Sequence, residues 1–451
     1  MPHRRGNRAG FQPLSASAAK AAAINWPRTA ESRALIHQES NLRPNKLNKQ
    51  SRNAALVLRN GHVIDPSQGI NRVTDVAVRD GRIAAIGDGL GPGLVEKDLR
   101  GKYLCPGLID LQGHWWLGSA WGIDPHIGLN HGVTTAVDAG TTGFINFPTF
   151  RQTQVSAATI RVLAFVNISG IGIPTTLVGE LEDIRFARSR ETSRVIEAHR
   201  DVCVGVKIRE GTMTGSHGIE ALDKALGAAR STNLPLMVHI TQGAETRQIL
   251  RRLAPGDIVT HCFQGRGDGI LSPCQGGDCL LPEVLEARQR GVLFDVGHGA
   301  GAFSWKVARR AFEYFFYPDT ISTDLHRFSV VRWAFDMPSV MSKFLHLGMP
   351  LEAVILKSTW APAKAIGRGD ELGTLKEGAV ADIFMFELEE GCFPLEDTHL
   401  RTESAVRRIK PFLTIKDGKS IEPGSYAVQL RELYECDDDL LRSIEQTTDP
   451  G

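Results

Sequence analysis

Residues 203–240 read CVGVKIREGTMTGSHGIEALDKALGAARSTNLPLMVHI. The runs Cys203–Ile208 and Leu236–Ile240 are short and apolar, as strands buried on both faces are. The segment GIEALDKALGAARST between them carries a helical pattern. Each run ends in a residue that an apolar strand does not need: Lys207 in VGVKIR and His239 in LMVHI.

The same unit recurs along the middle of the chain. Further candidate strands are Leu108–Leu111, Val133–Val137, Arg161–Asn167, Ile258–Thr260, Val292–Val296 and Thr320–Thr323, with helical text such as LPEVLEARQRG between most of them. About eight strand–helix repeats over roughly 260 residues fit an α/β fold, a (β/α)8 TIM barrel. A doubly wound sheet is the alternative. Neither GxGxxG nor GxxxxGK[ST] follows the first strand to support a nucleotide-binding version of it. The glycine clusters GPG and GRGDG read as turns.

Text near both ends differs from the middle. LVLRNGHVIDPSQG and DVAVRDGRIAAIGDGL, then GTLKEGAVADIFMFEL and FLTIKDGKSI, are β-rich runs broken by Asn-Gly and Asp-Gly, a hairpin signature. One small β-sandwich module built from N- and C-terminal segments is expected. The organisation read from the sequence is therefore an extension at residues 1–53, a sandwich from 54–105 plus 368–423, a barrel over 106–367 and a tail at 424–451. The extension is basic and lacks the apolar stretch of a secretory signal, so it reads as a disordered extension or an upstream start. The acidic tail reads as an appended helix or a disordered end.

The 451 residues carry a net charge of +1, which does not point to nucleic acid or an anionic membrane as partner. No apolar run approaches the roughly 18 residues that span a bilayer. Seven cysteines without a regular framework read as reduced thiols in a cytoplasmic protein, Cys262, Cys274 and Cys279 among them. A small-molecule substrate is the expected partner, and a homo-oligomer is left open.

In a barrel the chemistry sits at the C-terminal strand ends. Strand 1 ends in PGLIDLQGHWW, residues 106–116, where alternation puts Gln112 and His114 on one face. Strand 6 ends in His261 and strand 8 in Asp324. Any one of these reads as a satisfied core residue; five polar strand ends of these types in this order do not. Imidazoles and a carboxylate suit Zn²⁺ and its first-row neighbours. A lysine among them is explained by a depressed pKa, or by reaction with CO₂ to a carbamate, an anion able to bridge two metals.

This pattern resembles the amidohydrolase superfamily, in its binuclear carboxylysine group alongside the dihydroorotases. GVTTAVDAGTTG, VLAFVNIS, PLMVHI, GDIVTHCFQG, GVLFDVGHGAGAFSW, TISTDLH and MSKFLHLGMPLEAVI are similar to blocks of its amidohydrolase/deacetylase metallohydrolases, and the resemblance runs from about residue 55 to 420. It implies that His114 and Asp324 hold one metal and His239 and His261 a second, with carboxylated Lys207 bridging. A metal-activated hydroxide would attack an amide or ester, deacylating a small N-acyl or O-acyl substrate or opening a cyclic amide. Asp324 would serve as general base and acid.

Two further residues are candidates for substrate. Arg209 suits a carboxylate, with a structural salt bridge as the alternative. His298, in VGHGAG, lies on the expected catalytic rim, and Trp115 and Trp116 are expected around its mouth. The chain departs from the pattern at Gln112, where the resemblance implies the first histidine of His-x-His. A glutamine carbonyl is a poorer zinc ligand. One or two Zn²⁺ per chain are expected, and the alternative is a weakened or inert binding protein on the same scaffold. A deaminase is disfavoured, because HITQ stands where such enzymes carry His-x-x-Glu.

Overall fold

Seven parallel strands lie side by side in chain order: β1 (Leu108–Gly113), β2 (Val133–Gly143), β3 (Arg161–Asn167), β4 (Cys203–Glu210), β5 (Leu236–Ile240), β6 (Ile258–Thr260) and β7 (Leu293–Phe294). Every residue of β1 and β2 is buried, which is why these runs are apolar without alternation. The computed structural model describes residues 55–429 apart from Thr176, Ser216 and Gly276. The extension at 1–53 and the tail beyond residue 429 lie outside the described residues.

The curled sheet closes through a segment that is not a regular strand. The expected eighth strand, Thr320–Thr323, makes single parallel bridges, Asp295 to Thr320 on one side and Gly113 to Leu325 on the other. Asp324 N donates to Gln112 O at 2.8 Å, and His114 N donates to Leu325 O at 2.7 Å. Two causes keep this segment out of a ladder. The buried Asp110 carboxylate takes the Thr323 N–H at 2.9 Å and its hydroxyl at 2.5 Å. Asp324 itself has φ +49°, outside strand geometry.

Between β4 and β5 the chain forms the expected helix, Gly218–Thr232. It buries Ala221, Leu222, Ala225, Ala228, Ala229 and Thr232, the stripe of a helix lying on a sheet. Asn233 ends it at φ 52°, its N–H capping the Ala229 and Arg230 carbonyls. The fold is α/β and barrel-like, with a β-rich module.

That module is one eight-stranded sheet. Ile383–Glu396 pairs antiparallel with Tyr103–Pro106, which joins the two chain ends. Asp80-Gly81 and Asp417-Gly418 form the expected two-residue hairpin turns, with φ 51° and 72°, and 51° and 79°. Asn60-Gly61 does not turn the chain; it forms a bulge inside Leu56–Asp65, where the register with the next strand shifts.

The expectation of reduced thiols fails at one place. Cys274 and Cys279 form a disulfide across the small hairpin Leu271–Cys274 and Gly277–Leu280. Cys105, Cys203 and Cys262 are buried free thiols, and Cys392 is exposed. Among the described residues no helix is long and apolar enough to cross a membrane.

Candidate metal centre

The strand ends bring two close pairs of donor atoms together. His239 Nδ1, from β5, lies 2.6 Å from His261 Nε2, just past β6. His114 Nε2, just past β1, lies 3.3 Å from Asp324 Oδ1. Gln112 sits beside the first pair, its amide 3.3 Å from His261 Nε2 at the Nε2 end. Lys207, from β4, is 1% exposed and is coupled electrostatically to Asp324, His239 and His261.

Each group is held in the form a cation needs. Burial lowers His261 to about 4 and His239 well below the usual imidazole range, so both are neutral at neutral pH. His261 Nδ1 is 2.6 Å from the Gly297 carbonyl, which only accepts, so the proton is on Nδ1 and the lone pair on Nε2. His114 Nδ1 is anchored 2.8 Å from the Thr141 hydroxyl. Burial by itself would raise the Asp324 carboxyl; His114, His261 and His326 around it hold it below the usual carboxylate range.

Two atoms point to a missing partner. Asp324 Oδ1 is buried without a well-aligned hydrogen bond, the 3.3 Å contact to His114 notwithstanding. Among the described residues Lys207 Nζ reaches only the thioether of Met237, at 3.3 Å, a weak acceptor for a buried ammonium. Burial accordingly lowers Lys207 to about 8 against the pull of Asp324 and Asp295. Gly140, at φ +80°, gives the lysine its room: a Cβ there would stand 2.6 Å from Lys207 Cβ. Among the described residues no three His, Cys, Asp or Glu side chains by themselves form a metal cluster. The lone pairs of the two donor pairs, the orphaned carboxylate oxygen and the Lys207 nitrogen, whose charge burial disfavours, nonetheless make a donor set that fits divalent metal.

The other candidates have partners the sequence did not reveal. Arg209 grips Glu180 through Nε at 2.7 Å and Nη2 at 2.6 Å, and lies 5.9 Å from the Trp121 ring centre. The salt-bridge alternative thus accounts for two of its donor nitrogens. Glu180 is buried, so Arg209→Met is expected to strand its charge and lower stability by roughly 3–5 kcal/mol, read from the urea midpoint without substrate. His298 is fully buried rather than exposed on a rim. Its Nδ1 is 2.9 Å from Gly299 O, its Nε2 2.7 Å from the buried Lys343 Nζ, and its ring stacks on Phe303. Trp115 is buried as well; Trp121 is the tryptophan beside the centre, 4.9 Å from the His326 ring, which is itself 6.2 Å from His114. Sequence reasoning passed over Thr141, Thr260, Asp295 and His326. Only His326, two residues past Asp324 in TISTDLH, had a signal to find.

Residues 103–421 match the model of the amidohydrolase family. The chain belongs to that family. This amidohydrolase is a hydrolytic enzyme acting on carbon–nitrogen bonds, in a family whose members are generally metal-dependent. A deacetylase of Brucella anthropi is 34% identical over 375 residues, covering 80% of this chain and 90% of that protein. A deacetylase of Agrobacterium fabrum is 33% identical, over 80% of this chain and 89% of its own length. Among solved structures, an adenine deaminase superposes with TM-score 0.76 at 31% identity, covering 82% of this amidohydrolase and 100% of that chain. A dihydroorotase superposes with TM-score 0.75 at 31% identity, covering 81% and 98%.

Proposed function

We propose that this amidohydrolase is a metal-dependent deacylase that hydrolyses the amide or ester of a small acylated molecule. The observation that carries the reading is the facing of His114 with Asp324 and of His239 with His261, with the buried Lys207 amine interacting electrostatically with both pairs. His114, Asp324 and Gln112 would hold one ion, His239 and His261 another, and Lys207, as a carbamate, both. A divalent ion bound there, zinc or a first-row neighbour, supplies an activated water and polarises the scissile carbonyl.

The remaining work belongs to the chain. Asp324 accepts the proton of the attacking water and delivers it to the leaving group. Its low pKa keeps it ionised and ready at neutral pH. Arg209 keeps Nη1 clear of Glu180, so a substrate carboxylate can be met by one nitrogen while the pair holds the guanidinium in place. The barrel, one β-rich module formed from residues 54–105 and 368–423, and a cytoplasmic location complete the reading.

The test is a screen of N-acyl amino acids, acylated hydroxy acids, cyclic amides and adenine, with and without a chelator, reading acid and ammonia release separately. Acid release that the chelator stops is the expected result. Ammonia release from adenine would favour deamination, the activity in the name of one solved relative. No turnover in any arm would favour an inert binding protein, the reading that Gln112 supports.

A further inference from the structure

Gln112 has neighbours that constrain its amide, and the inference they carry rests on the metal-dependent reading above. The Thr260 hydroxyl contacts both the Gln112 amide and Asp295 Oδ2, the latter at 2.8 Å. Asp295 receives two more hydroxyls, Thr320 at 2.6 Å and Ser322 at 2.7 Å. Ser322 Oγ also accepts the Gly297 N–H at 3.0 Å, which leaves its own proton for Asp295. Burial pushes the Asp295 carboxyl up; the three hydroxyl donors and Lys207 oppose that.

A hydroxyl has one proton to give. An ionised Asp295 only accepts, so Thr260 donates to it and presents lone pairs to Gln112. The NH₂ end of the amide satisfies those lone pairs; the carbonyl end cannot. The two ends are nearly isosteric, so proton count decides which way the amide faces. We propose that Thr260 and Asp295 lock Gln112 with Nε2 on Thr260 and Oε1 toward His261, making Gln112 an oxygen ligand that shifts this centre's metal preference from zinc toward manganese.

The neighbouring geometry agrees. With the amide so turned, Oε1 and the His261 Nε2 lone pair stand side by side, 3.3 Å apart. Two lone pairs at that distance repel unless bound cations relieve them, one ion taking Oε1 with His114 and Asp324 and the other taking His261 with His239. Gly297, at φ +48°, permits the approach: a Cβ there would stand 2.2 Å from Thr260 Oγ1, 2.8 Å from His261 Nδ1 and 3.0 Å from the Gln112 amide. An amide oxygen is a harder donor than the imidazole it replaces, and carbonyl oxygens suit manganese where imidazoles suit zinc.

The test is equilibrium dialysis of the full chain against Zn²⁺ or Mn²⁺ with metal counting, and EPR of bound Mn²⁺, on the unaltered protein and four variants. Gln112→Leu and Thr260→Val are each expected to weaken one ion per chain about tenfold or more, and Thr260→Ser to retain it. Gln112→His is expected to move the Zn²⁺-to-Mn²⁺ affinity ratio at least about tenfold toward zinc. Unchanged affinities in Gln112→Leu and Thr260→Val, with metal still bound, would overturn the proposal and leave the metal-dependent reading standing. Failure of every form, unaltered protein included, to bind either ion would overturn that reading itself.

Discussion

Replacing Lys207 with alanine is expected to lower kcat/KM at least about 10³-fold, roughly 4 kcal/mol of transition-state stabilisation. The reason is positional. Among the described residues, the buried Lys207 amine interacts electrostatically with both donor pairs, and a thioether is its one hydrogen-bond partner. Alanine removes the amine that would carry the carbamate. A second variant, Lys207→Met, keeps most of the buried volume and separates lost packing from lost chemistry. Both variants are expected to lose metal along with turnover. Added formate or acetate, small enough to stand where the carbamate carboxylate would lie, is expected to restore part of each in Lys207→Ala and little in Lys207→Met. Undiminished turnover in Lys207→Ala would remove the bridging role.

Asp324→Asn is the second large effect. Loss of a proton-transfer group typically costs about 10²–10⁴ in rate, and loss of an anionic ligand adds to it. Stability is expected to move less. The histidines that hold the Asp324 carboxyl below the usual range favour its ionised form in the fold, and a neutral amide gives up that contribution. A Tm modestly below that of the unaltered protein, with kcat down at least about 100-fold, is the expected pair of results. A fall in Tm with kcat unchanged would mean that Asp324 is structural.

The donor set was legible because it breaks a simple rule. Lys207, His239 and His261 end runs that are otherwise apolar, and strand-end position in a barrel converts one-dimensional spacing into three-dimensional convergence. Helix Gly218–Thr232 was legible for the complementary reason, a periodic apolar stripe closed by a capping asparagine. What stayed hidden depends on partners that the chain meets only after folding. Glu180 reaches Arg209 across 29 positions and Lys343 reaches His298 across 45, and neither pairing leaves a local pattern. The eighth strand was overread, since nothing in TISTDLH announces the positive φ of Asp324 or the claim of Asp110 on Thr323. The Cys274–Cys279 disulfide was missed because five-residue spacing carries no framework; only the hairpin brings the two sulfurs together.

Metal dependence of turnover is the claim on which the rest stands. The direct measurement counts metal ions per chain by mass spectrometry while the same sample is stripped with a chelator and refilled, with hydrolysis of an acylated substrate followed throughout. Turnover that falls in step with metal, from between one and two ions per chain, and returns when zinc or manganese is restored is the predicted result. A metal-free chain that hydrolyses the substrate at its original rate would contradict it.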